Sequence, residues 1–162
     1  MIECNRFDVS LNVSGDEIPI VIFVIRTDLP SGTQIISTCR RSYRDAQGTD
    51  SLWVGQSDRL VVSADGECRG RIDINASDKK ASDYFRQLNT GHSSPGISSP
   101  ISDTVELGFM VGGRQRLREF GRNNSELSGT LVTERGGIKV VEAVRKLRIP
   151  MKSSLQPTMT SS

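Results

Sequence analysis

The feature that most limits what this chain can fold into is a recurring alternation of apolar and polar residues. Phe7, Val9, Leu11 and Val13 interleave with Asp8, Ser10, Asn12 and Ser14, and the same two-residue period returns at Val105, Leu107, Phe109 and Val111. Successive side chains of a strand point to opposite faces, so this period describes strands with one buried and one wet face. Between them, Ile18 to Ile25 is apolar throughout, rich in β-branched residues and too short for a helix. It predicts a central strand packed on both faces, with Pro19 near its start, where the missing N–H is tolerated. Leu29-Pro30-Ser31-Gly32 then reads as a type I turn and Thr33 to Tyr43 as a second strand, which predicts a hairpin.

Leu52-Trp53-Val54, Leu60-Val61-Val62 and Cys68 to Ile74 predict further short strands, and Asp65-Gly66 between the last two is a hairpin signal. One segment changes period. Ala81, Tyr84, Phe85 and Leu88 recur at i, i+3, i+4 and i+7, and Ser77 or Asp78 can cap them, predicting a helix over 77–88. Residues 89–103, with Gly91, Pro95, Gly96 and Pro100, predict a loop. Leu127, Leu131 and Val132 around Gly129, then Ile138 to Ile149, close the pattern. The remainder has no periodic face, so a single domain over 1–150 and a flexible tail over 151–162 are expected. A parallel α/β fold needs helices between its strands, and one helix is too few. About seven to nine strands with frequent turns predict an all-β antiparallel sandwich, and a barrel fits the same alternation.

Two stretches taken together resemble small bacterial β-sandwich proteins of unassigned function. "TDLPSGTQIISTCRR" is similar to their early Leu-Pro-x-Gly-Thr turn and following strand, and "FGRNNSELSGTLVTERGGIKVVEAVRKLRIP" to their carboxyl-terminal portion. The resemblance implies an Ig-like sandwich and supplies no functional residue.

Composition narrows function by exclusion. The 162 residues carry a formal net charge of +2, which gives no bulk attraction to nucleic acid or to an anionic membrane. The longest apolar run is too short to span a bilayer. The start Met1-Ile2-Glu3-Cys4-Asn5 lacks the basic-then-apolar pattern of a secretory leader, so a cytoplasmic location is expected, with Cys4, Cys39 and Cys68 as reduced thiols. No C-x-x-C, H-E-x-x-H or G-x-S-x-G occurs, and the sole histidine, His92, lies in the Ser/Gly/Pro loop. No catalytic residue, metal or cofactor is therefore assigned.

Arginines remain. Arg114, Arg116, Arg118 and Arg122 crowd one segment, with Arg40, Arg41 and Arg44 forming a second group and Arg145, Lys146 and Arg148 a third. Guanidinium forks suit phosphate or carboxylate, although charged side chains also guard sheet edges against aggregation. In an extended chain Arg114, Arg116 and Arg118 share one face, with Leu117 and Phe120 as anchors. The expected function is a non-enzymatic protein-interaction module, a subunit or accessory of a larger assembly. The alternative is a nucleic-acid or phosphate binder that uses Arg114, Arg116, Arg118 and Arg122.

Overall fold

The structure is a computed structural model that describes residues 1–15, 17–90 and 96–159. Among these the order is β1 (Ile2–Glu3), β2 (Phe7–Ser14), β3 (Ile20–Thr27), β4 (Gln34–Arg44), β5 (Asp50–Val61), β6 (Glu67–Asp73), α1 (Ile74–Thr90), β7 (Thr104–Val111), β8 (Leu127–Ser128), β9 (Thr133–Arg135) and β10 (Ile138–Arg148). Strands β2-β3-β6 make a three-stranded sheet and β5-β4-β7-β10-β9 a five-stranded one. Every pairing within these two sheets is antiparallel. Strands β1 and β8 form a separate, parallel pair.

One buried cluster joins the two large sheets. Val21, Phe23 and Ile25 of β3 and Ile72 of β6 pack with Ile35 and Cys39 of β4, Leu107 and Phe109 of β7 and Val141 of β10. The Phe23 and Phe109 rings meet between the sheets at 4.8 Å, tilted by 60°. All three cysteines are buried as free thiols, and burial is the main cause pushing each up to about 11.

Several local expectations need correction. Strand β3 is central in its sheet, but it packs on one face only: Val21, Phe23 and Ile25 are buried, whereas Ile22 is 48% exposed. The reason is that this sheet is an outer layer, with the other sheet covering a single side. The β3–β4 segment is not a hairpin either, because its strands belong to different sheets. The turn lies one residue later than expected. Thr33 N–H donates to the Pro30 carbonyl at 3.1 Å, which puts Gly32, with φ +92°, at the third position of the turn. That position takes a positive φ in a type II turn, and glycine supplies it. The Gly32 N–H is spent on the Val62 carbonyl at 2.8 Å, so the turn crosses between layers. Asp65-Gly66 likewise links strands of different sheets, β5 and β6.

Strand β5 is one long strand where two were expected. Gly55 does not break it: a Cβ there would strike Ser77 of α1, so the glycine lets the helix lie against the strand. The helix starts at Ile74, three residues before the expected 77. Its cap is Asp73, whose Oδ1 accepts the Ala76 N–H at 3.1 Å, the first-to-fourth geometry of an N-cap. Ser77 and Asp78, read as caps, are inside the helix and buried.

The far end of β4 and β5 is covered by α1 and two loops instead of the second sheet. Trp53, Ala81, Phe85, Ile97, Ile101 and Met151 form a second buried cluster there, with Tyr43 and Leu155 against it. Residues 151–157, expected to be loose, are thus seated: Met151 is buried, Ser153–Leu155 forms a 3₁₀ turn, and the Gln156 side chain accepts the Ile101 N–H at 3.2 Å. Deleting 151–162 should therefore destabilise. Burial of Met151 alone is worth about 1.5–3 kcal/mol. At roughly 2–4 °C per kcal/mol for a chain of this size, a thermal melt should show a fall of roughly 5 °C or more.

Candidate interaction surfaces

Alternation along β4 divides the second arginine group. Arg40 and Arg44 share the outer face of the five-stranded sheet, where Arg40 Nη2 lies 3.0 Å from Glu106 Oε1 and Arg44 Nε 3.3 Å from Asp50 Oδ1. Cross-strand register places Glu106 opposite both Arg40 of β4 and Lys146 of β10. The charges on that face therefore alternate instead of forming a basic field. Arg41 points the other way and is 1% exposed. Its Nε and Nη2 donate to Asp78 Oδ1 and Oδ2 at 2.8 and 3.0 Å, and its Nη1 donates to the carbonyls of Ser102 at 2.9 Å and Ile149 at 2.7 Å. Burial pushes the Asp78 carboxyl above its usual range, against the pull of the adjacent guanidinium. Arg41 is a clamp joining β4, α1 and the chain around Ser102 and Ile149, not a binding residue.

The first arginine group is arranged much as its spacing suggests. Arg114, Arg116 and Arg118 are exposed, Gln115 and Leu117 are partly buried, and Phe120 is fully buried. Gln115 behaves like an extra strand residue: its Oε1 accepts the Gln34 N–H at 2.7 Å, and its Nε2 donates to the Gln34 carbonyl at 2.9 Å. Arg118 and Arg122 belong to two successive 3₁₀ turns, Arg118–Phe120 and Arg122–Asn124, separated by Gly121. Among the described residues, no carboxylate within 4.0 Å pairs with Arg114, Arg116, Arg118 or Arg122.

A surface the sequence did not disclose lies between α1 and the end strand β5. The β4–β5 register sets Trp53 opposite Arg41, two pairs from Tyr43 and so on the same face, and the helical period brings Phe85 over both rings. Tyr43 meets Trp53 at 6.2 Å and Phe85 at 6.3 Å, both nearly edge-on, and Trp53 meets Phe85 at 5.3 Å. These rings, with Ala81, line a groove of about 300 Å³. Its sides are Leu52, Val54 and Tyr84, all exposed, and Lys80 stands at the rim. Lys79 is held by Asp83 at 3.1 Å, whereas Lys80 has no such partner among the described residues. Trp53 Nε1 is buried without a hydrogen-bond partner. The missed signal was Tyr84: at the i+3 position after Ala81 it read as a core residue, but the groove leaves it on the flank.

Beside the groove is an open depression of about 590 Å³ of mixed lining, with Ser42, Arg44, Asp50 and Ser99 beside Tyr43, Leu52 and Pro100. Its one carboxylate, Asp50, is engaged by Arg44. His92 lies outside the described residues. No cluster of three or more His, Cys, Asp or Glu suited to a metal ion occurs among the described residues.

No family model matches the sequence. No curated protein matches it either. Among solved structures, a crystal structure of a protein from Archaeoglobus fulgidus aligns over 92% of this chain and 98% of that one, at 8% identity and a TM-score of 0.25.

Proposed function

We propose that this chain is a non-enzymatic protein-interaction module, a subunit or accessory of a larger assembly, and that it docks its partner in the groove between α1 and β5. The observation that carries the reading is an aromatic floor of Tyr43, Trp53 and Phe85 flanked by exposed Leu52, Val54 and Tyr84. A few desolvated apolar anchors dominate most interfaces, and a groove with aromatic walls is where one seats. The occupant is a peptide segment that inserts one apolar side chain and places an acidic residue against Lys80, since the groove lining includes that cation and no carboxylate.

The Ig-like reading of the fold belongs to the same proposal. Its support is strand order: β2-β3-β6 facing β5-β4-β7-β10 follows the A-B-E and C′-C-F-G arrangement of such sandwiches, with α1 in the connection between E and F. Sandwiches of this kind host many unrelated roles, so the groove carries the functional argument.

Selection from a displayed peptide library tests the groove. It should recover segments with an aliphatic or aromatic residue near Asp or Glu, and their binding should shift the emission of Trp53, the only tryptophan. Tyr84→Asp should weaken such peptides tenfold or more at an unchanged melting temperature, and Lys80→Glu should erase the acidic preference. Peptides that bind without moving Trp53 emission, or that ignore both substitutions, refute the groove.

The second reading, an anionic partner such as nucleic acid on Arg114, Arg116, Arg118 and Arg122, draws support from their shared exposure. Changing Arg114, Arg116 and Arg118 together to glutamine should then flatten the salt dependence of binding while sparing the fold.

A further inference from the structure

We infer a phosphate-binding pocket made by Arg59 and Arg114, on the outer face of the five-stranded sheet and separate from the groove. The two arginines come together through strand pairing. Register sets Arg59 of β5 opposite Ile36 of β4, and Ile36 opposite Met110 of β7, so these three side chains form a row on one face. Strand β7 ends at Val111, and Gly112-Gly113 leads directly to Arg114. The Gln115 side chain, bonded both ways to the Gln34 backbone and donating to the Gly112 carbonyl at 3.1 Å, fixes the backbone beside Arg114. Arg114 therefore springs from a fixed backbone position at the edge of the cavity.

Arg59, Arg114, Gln34, Ile36 and Met110 are among the residues lining a cavity of about 120 Å³. At roughly 30 Å³ per water this is room for about four water molecules, the size of one phosphate group. No acidic residue lines the cavity. Among the described residues neither arginine has a carboxylate within 4.0 Å, although most acids on this face are taken: Glu106 by Arg40, Asp50 by Arg44, and Glu142 by Arg135 at 2.7 Å. Both arginines line one small space that holds no acid of its own, which makes it a favourable seat for an anion. Charge matching selects the anion. A carboxylate is satisfied by one guanidinium fork, whereas a phosphate dianion presents charge and acceptor oxygens enough for two.

The inference shares only Arg114 with the second reading above and nothing with the groove, so it stands or falls by itself. Thermal melts with inorganic phosphate, at ionic strength held constant with potassium chloride, provide the test. Melting temperature should rise with phosphate in the wild type, as expected for a ligand that binds only the folded state. It should not rise with acetate. Arg59→Gln and Arg114→Gln should each weaken the response tenfold or more, with unliganded melting temperatures unchanged because both side chains are exposed. The Arg116→Gln/Arg118→Gln double variant should respond as wild type, since neither residue lines the cavity. O-Phosphoserine then identifies the source: binding as tight as phosphate marks a monoester site, and weaker binding marks a site for the free ion. Equal stabilisation by acetate, an unchanged response in Arg59→Gln, or loss of the response in the Arg116/Arg118 variant would overturn the pocket.

Discussion

Replacing Asp78 with alanine, or Arg41 with methionine, is expected to lower stability by about 3–5 kcal/mol, the cost of stranding one partner of a buried ion pair. The Arg41 and Asp78 side chains are 1% and 3% exposed, and the guanidinium serves four acceptors: two carboxylate oxygens and the carbonyls of Ser102 and Ile149. The two single variants should differ in their response to pH. Asp78→Ala leaves a guanidinium that cannot shed its proton, so the variant's own stability should lose the pH dependence that Asp78 contributes to the wild type. Arg41→Met leaves a buried carboxyl, already pushed upward by desolvation, without the cation that holds it ionised. A carboxyl raised in the folded state favours folding while it is protonated and loses that contribution as pH rises through its folded value. The Arg41→Met deficit should therefore shrink as pH is lowered from neutral. Replacing both residues with methionine and leucine should cost less than the sum of the single changes. Urea unfolding midpoints across pH, at constant slope, measure all of these differences.

Phe109→Ala should cost about 3–5 kcal/mol, because it opens a cavity at the centre of the contact between the two sheets. Phe109 is fully buried and its ring meets Phe23 of the opposite sheet at 4.8 Å. Ile22→Ala provides the contrast. It lies in the same apolar run as Val21 and Phe23, yet it faces outward and is 48% exposed, so a loss of about 1 kcal/mol or less is expected. If denaturant melts found the two substitutions equally damaging, β3 would have to be packed on both faces after all.

That contrast shows where sequence pattern is informative and where it stops. Period-two alternation located β2 and β7 because one wet face writes itself into every second residue. It failed at Ile22, since an exposed isoleucine and a buried one look alike in a continuous apolar run. Turn chemistry announced Pro30 to Gly32 and Asp65-Gly66 correctly as turns. It could not say that each passes between sheets, because a turn's residues encode its dihedral angles and not the partner of the strand that follows. The exposure of the arginine segment was legible because Gln115 and Leu117 alternate with Arg114, Arg116 and Arg118; Phe120 is turned inward by the 3₁₀ turn Arg118–Phe120 rather than by that alternation. Arg59 was not, since only the β4–β5 register sets it opposite Ile36, which in turn faces Met110 of β7. The groove was hidden for the same reason: Tyr43, Trp53 and Phe85 come from three elements and share no motif.

The short parallel pair of β1 and β8 sets Ile2 beside Leu127 and Glu3 beside Ser128. Closing so long a stretch of chain is entropically expensive, and two residue pairs repay little of it. The pair therefore depends on the two large sheets to hold its strands side by side. Cys4 has its carbonyl bonded to the Leu131 N–H at 3.3 Å and is fully buried, so local opening of this short pair, well short of global unfolding, is what would bring its thiol to water.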